Sequence, residues 1–258
     1  MGWGVDFKDK LNRLVAANVL LFVLFLIPGA GSLLNWIALP LGWESLLQSP
    51  WTLLTYMLAH QGFWHLLWNM VMLVWAGRSL VDFLGNRLIY PMYLVGGLGG
   101  ALVFELGMGL SHWISGGNNA GVPGLIGASA SAMAFFWALV LMVPDRTLLL
   151  FGILPLRLRW LALGFAVYDV FGLLGSNAGG HWAHLGGGIS GMLYLRHLQG
   201  RLGLSFLKKS GSRPDSPFRS RPLDVQAETD RLLDKISRSG YASLKPSEKE
   251  WLDRRHRG

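Results

Sequence analysis

The chain has 258 residues, of which 52% are hydrophobic and only 15% charged, with 12 tryptophans and no cysteine. Soluble domains carry about 25% charged residues, so this composition argues for a membrane protein. The lack of cysteine excludes disulfides, thiolate zinc sites and a thiol nucleophile. Residues 1–200 hold 9 Lys/Arg against 7 Asp/Glu, and 201–258 hold 14 against 8, so the net charge of +8 describes a basic tail and gives no sign of nucleic-acid binding.

Apolar runs suited to about 30 Å of hydrocarbon fall at 14–35, 64–82, 88–110, 127–143, 158–174 and 182–199, the last three near the lower length limit. The first follows Lys8, Lys10 and Arg13 and lacks a good small-residue cleavage site, so it reads as a retained span. "TLLLFGILPLRLRW" (147–160) contains Pro155 and two arginines and reads as an interfacial connector rather than a seventh span. Lys and Arg occur before the first run, at Arg78 and Arg87, at Arg146, Arg157 and Arg159, and from Arg196 onward, with none in 14–77, 88–145 or 160–195. Alternate loops are thus basic and the others carry no cation, which predicts six spans with both termini cytoplasmic. The expected fold is an all-α membrane protein, a six-transmembrane-helix bundle over residues 1–200, multi-pass in a bacterial inner membrane. A flexible basic linker (201–222) and a small cytoplasmic helical tail (223–258) are expected to follow. In the tail, Leu232, Leu233 and Ile236 stand at helical spacing before Gly240, and a second short helix starts near Ser247 with Trp251 and Leu252 apolar. The tail's basic balance suits the anionic inner leaflet, and the tail reads equally as a solvated appendage or as a regulatory or docking element with an unidentified partner.

With this topology the second, fourth and sixth runs all begin on the outer side. His65 and Asn69, Ser129 and Ser131, and His181 and His184 then reach one depth from three helices. Ionisable groups at membrane depth are functional by default. Serine hydrolysis needs a nucleophile, a base within hydrogen-bond reach and donors aimed at the developing oxyanion. A serine with His184 supplies the first two. His65 and Asn69 are four apart on one helical face and can supply side-chain donors. The amide at the start of the fourth helix lacks an intrahelical partner and can supply another. Small residues in "GASASA" (127–132) and "HLGGGISG" (184–191) permit close helix approach. Ser129 and Ser131 point about 200° apart on a helix, so only one can face the sixth run, and spacing alone leaves both open.

The residues "HQGFWHLLWN" (60–69), "WAGR" (75–78), "GASA" (127–130) and "AHLGG" (183–187), in this order on these spans, resemble the motifs of the rhomboid intramembrane serine proteases over about 51–195. The resemblance implies a Ser–His dyad without a carboxylate, with Ser129 as nucleophile and His184 as general base. It implies His65, Asn69 and the Ser129 amide as oxyanion-hole donors, and His60 as a neighbour of the site beside Gly127 and Met133. It further implies no cofactor and no metal, and as substrates transmembrane proteins cut in or near their membrane segments. Access would run past the fifth span and the loop "GLLGSNAGGHW" (172–182). The family pattern has glycine where Ala130 stands, so an extra methyl is expected on the oxyanion side. It often has an aromatic where Met133 stands, though methionine can still contact an imidazole through sulfur. Asp82 is the nearest candidate for an acidic residue common near the end of the second span.

Three further readings complete the expectation. Asp169 and Glu105 read as hydrogen-bonded structural or interfacial carboxylates in the outer halves of their spans, with completion of a triad the alternative for Asp169, and His181 reads as a loop or interfacial residue. A metal site built from His60, His65, His181 and His184 is disfavoured, since there is no HExxH motif and no carboxylate nearby in sequence. Against the enzyme stands a catalytically inactive relative that binds the transmembrane helices of client proteins, a reading motivated by Ala130.

Overall fold

The structure, a computed structural model, describes residues 9–116, 124–150, 153–200, 222–245 and 248. It divides into two compact units, 1–203 and 204–258. The first is mostly helical. Its elements are α1 (Lys10–Phe25), the short α2 (Leu34–Ile37), α3 (Trp43–Gln48) and α4 (Thr52–Thr55), then α5 (Phe63–Leu84), α6 (Ile89–Ser115) and α7 (Ser129–Met142). A two-stranded antiparallel hairpin follows, β1 (Thr147–Leu150) with β2 (Leu154–Arg157), and then α8 (Leu158–Gly172) and α9 (Ala178–Leu198).

Helices stand at all six apolar runs, with informative shifts. The first run was expected to continue to residue 35, but α1 stops at Phe25. Pro28 has no N–H to donate and Gly29 turns left-handed (φ 86°), so the chain leaves the helix and forms the irregular first loop. The expected connector at 147–160 is a strand pair in the register Thr147↔Arg157 to Leu150↔Leu154, which corrects the all-α expectation. Arg157 and Arg159 close onto Asp145 beside it, at 3.7 and 3.1 Å. The sixth run was expected from residue 182, yet α9 begins at Ala178 and so takes in His181.

Two helical stretches among the described residues, Phe63–Leu84 and Asn86–Ile114, are long and apolar enough to cross a membrane. On α6, Leu94, Leu98, Leu102, Leu106 and Leu110 form an exposed i, i+4 stripe. The opposite side of α6 is glycine-rich and packs on α7 and α9. A Cβ on Gly100 would collide with the methyl of Ala130, one on Gly187 with the Ala130 carbonyl, and one on Gly191 with the Ala134 carbonyl. These three helices therefore pack backbone to backbone, as small residues at membrane-helix interfaces allow.

The first loop is stitched to this core at several points. Gly42 N–H donates to Glu105 Oε2 at 2.9 Å, which makes Glu105 the structural carboxylate expected of it. Tyr56 donates its hydroxyl proton to the Gly97 carbonyl at 2.6 Å, and Tyr93 donates to Met57 at 2.8 Å. Leu39 pairs as an isolated antiparallel bridge with Leu125, just ahead of α7.

In the second unit, α10 (Pro222–Ser239) ends at Gly240, whose φ of 75° provides the left-handed exit. Leu232 and Leu244 are buried. Of the expected linker (201–222) only Pro222, the first residue of α10, is described, and the expected second helix with Ser247, Trp251 and Leu252 lies outside the described residues.

Candidate active site

Ser129 is the first residue of α7, and three backbone contacts fix the turn before it. Leu125 pairs with Leu39, Gly127 N–H donates to the Tyr56 carbonyl at 2.9 Å, and Ala128 N–H points at His60 Nε2 at 3.4 Å. His60 is buried, so its place beside the site is to brace this turn. Gly127 adopts φ 119°, a conformation that L-residues rarely reach. A Cβ there would stand 2.8 Å from His65 Nε2 and 3.8 Å from Ser129 Oγ, so the imidazole and the hydroxyl flank the same small space.

The two serines part company here. Ser131 is fully buried and donates its hydroxyl to the Tyr93 carbonyl of α6 at 2.7 Å. Ser129 faces a cleft of about 1320 Å³, where His65, Asn69, Met133 and His184 also line the wall. Among the described residues the Ser129 hydroxyl has no hydrogen-bond partner. Asn69 donates one amide hydrogen to the His65 carbonyl at 2.7 Å, and an amide nitrogen carries two. His60 and His65 meet edge to face with centroids 5.0 Å apart.

Ala130 stands differently from the sequence expectation. Its methyl points at Gly100 of α6, and it does not line the cleft. The extra carbon is absorbed by a glycine on the neighbouring helix, so it does not narrow the cleft. Asp82 is exposed near the far end of α5.

Asp169 is a buried, hydrogen-bonded carboxylate as expected, and the correction concerns its neighbour His181. Asp169, on α8, is 1% exposed and its Oδ1 lies within hydrogen-bond distance of two imidazoles of α9, 2.8 Å from His181 Nδ1 and 2.9 Å from His184 Nδ1. His181 is buried inside α9 rather than lying in a loop. Its ring meets Tyr168 edge-on at 5.0 Å and His184 at 5.8 Å, so His184 has an imidazole as its ring neighbour. The sequence signal was available: Asp169 and Tyr168 stand one helical turn before Gly172, the last residue of α8, and His181 and His184 share a face three apart. What was missing was the tight α8–α9 turn that folds the two together. The ligand atoms of Asp169, His181 and His184 lie within 4.8 Å of one another, so the carboxylate lacking near the histidines in sequence is present in space.

The fold and site define a glycine-packed helical bundle that presents serine, imidazole and amide donors to one apolar-walled cleft. A family model for the rhomboid domain matches residues 47–200, more than half of the chain. The chain belongs to the rhomboid family. A second model, a family of unknown function (DUF6576), matches residues 215–255. RHOMBOID-like protein 5 of Arabidopsis thaliana is 34% identical over 89 residues, which cover 34% of this chain and 29% of that protein.

Proposed function

We propose that this rhomboid protein is an intramembrane serine endopeptidase that cleaves membrane-anchored proteins in or near their transmembrane segments. The observation that carries the reading is the convergence of Ser129, His184, His65 and Asn69 on one cleft. In the reaction Ser129 Oγ attacks a peptide carbonyl, and His184 Nε2 takes its proton and then delivers it to the leaving amine. His65, the second N–H of Asn69 and the Ser129 amide hold the oxyanion. The Ser129–His184 contact closes when substrate is loaded, as catalytic hydrogen bonds commonly do. No cofactor takes part in these steps.

The cleft supports a polymeric substrate. At about 1320 Å³ it exceeds the roughly 300–1,000 Å³ of small-molecule sites. Trp68 and Met72 of α5 form one wall and Leu161 and Phe165 of α8 the other, so an apolar segment meets apolar walls on its way to the polar end. Exposed leucines on α6 fit a lipid-facing surface, and the alternation of basic loops supports a six-span arrangement with cytoplasmic termini.

The test is cleavage of a model single-span protein in liposomes by wild type, S129A and H184A. Cleavage by wild type alone is expected. Undiminished cleavage by S129A would remove the mechanism, and an inert wild type that still captures the substrate would favour the helix-binding alternative.

A further inference from the structure

Asp169 is the most deeply buried carboxylate among the described residues, and its placement asks for a reason. A carboxylate withdrawn from water is costly unless it is hydrogen-bonded or paired. Here one oxygen takes both α9 imidazoles, at 2.8 and 2.9 Å. The same stretch of α8 also fixes the ring that braces it. Tyr168 packs edge-on to His181, and a Cβ on Gly172 would collide with the His181 ring, so glycine there leaves the room the ring occupies. α8 thus holds His181 by packing and His184 by a hydrogen bond through a shared carboxylate.

Resting on the protease reading above, we propose that Asp169 is the positioning residue of the site. It makes the Ser129–His184 pair a Ser–His–Asp arrangement, with His181 as a second donor that keeps the carboxylate from turning. By accepting the Nδ1 hydrogen, Asp169 fixes the His184 tautomer, so the Nε2 lone pair is the one presented to the cleft. As the Ser129 Oγ–carbon bond forms, the hydroxyl proton passes to Nε2 and the imidazolium stands against the Asp169 carboxylate, which stays deprotonated. Collapse of the tetrahedral adduct breaks the C–N bond, and the Nε2 proton leaves with the amine. Water then gives a proton to Nε2 and its hydroxide to the acyl carbon, and the Ser129 oxygen recovers the proton as it departs. Two donors on one oxygen matter because a carboxylate held by a single imidazole could rotate and let His184 turn with it.

The experiment uses the full chain in detergent micelles with ¹⁵N-labelled histidine, and the same protein in liposomes with a model substrate. In wild type, both His181 and His184 should carry their hydrogen on Nδ1, with EDTA leaving the spectrum unchanged. Asp169→Asn should bring His184 into a mixture of tautomers and lower kcat by ~10²–10⁴-fold while KM stays within about threefold. A wild-type His184 protonated on Nε2 and bare on Nδ1 overturns the proposal whether or not D169N folds, and an EDTA-sensitive spectrum overturns it in favour of a bound cation. A wild type that shows the Nδ1–H tautomer but cleaves nothing removes the protease reading and keeps the orienting role. A wild type that cleaves, with folded D169N cleaving as fast, removes the role and keeps the protease reading.

Discussion

At the scale of single residues, the site turns on how a side chain's direction is set by its neighbours' backbone. Ser129 and Ser131 are chemically identical and two positions apart, yet one opens on the cleft and the other is bonded to the Tyr93 carbonyl. Ser129→Ala should therefore lower cleavage by about 10³-fold or more, as loss of a serine nucleophile does. Ser131→Ala should leave kcat unchanged and cost about 1 kcal/mol of stability for its hydrogen bond; paired cleavage and thermal-melt assays separate the two. Gly127 allows a sharper test. Its φ of 119° strains any residue with a Cβ, and the 2.8 Å approach would force the His65 ring to shift. Gly127→Ala is expected to abolish cleavage while labelling of Ser129 by a small serine-directed probe falls less, because a probe needs less of the oxyanion geometry than a peptide does.

At the scale of elements, the placement of α9 against α7 decides whether Ser129 and His184 can meet. Gly187 lies one turn after His184, and its Cα faces the carbonyl of Ala130, the residue after Ser129. A backbone carbonyl cannot rotate aside as a side chain can, so even Gly187→Ala must push the helices apart. The expected cost is on the order of 1–3 kcal/mol, typical of overpacking, with a larger proportional loss of cleavage than of melting temperature. Gly109, on α6, has open space around it. Gly109→Ala is the control, expected to leave both measurements unaltered.

At the scale of the whole molecule, the tail carries its own electrostatic signature. The Glu248 carboxylate is held down to about 2, chiefly by the Lys235 ammonium at 2.8 Å, with help from the Lys245 N–H and the Arg231 guanidinium. A depressed carboxylate contributes stability that is full above its ordinary value near 4.5 and is lost as pH falls toward about 2. In the full chain, Glu248→Gln should speed hydrogen exchange at the Lys245 amide at neutral pH, with the difference from wild type being lost as the pH falls through about 2. The membrane unit has a matching test in topology: reporter fusions at both ends of the chain should read as cytoplasmic, as the alternation of basic loops requires.

Composition and pattern by themselves determined that the chain is apolar and helical, where its helices stand, and which serines, histidines and asparagine could serve one chemistry, because hydropathy, charge alternation and motif spacing are local properties of the chain. Tertiary structure alone decided the rest. It opened Ser129 on the cleft and bonded Ser131 to the Tyr93 carbonyl, sent the Ala130 methyl toward Gly100, ended α1 at Phe25 and paired 147–150 with 154–157. Above all it folded α8 onto α9 so that Asp169 meets two imidazoles fifteen and twelve residues away. The physical reason is that a buried carboxylate acquires its role from the donors packed around it, and those donors come from a helix whose approach depends on the fit of glycines against backbone.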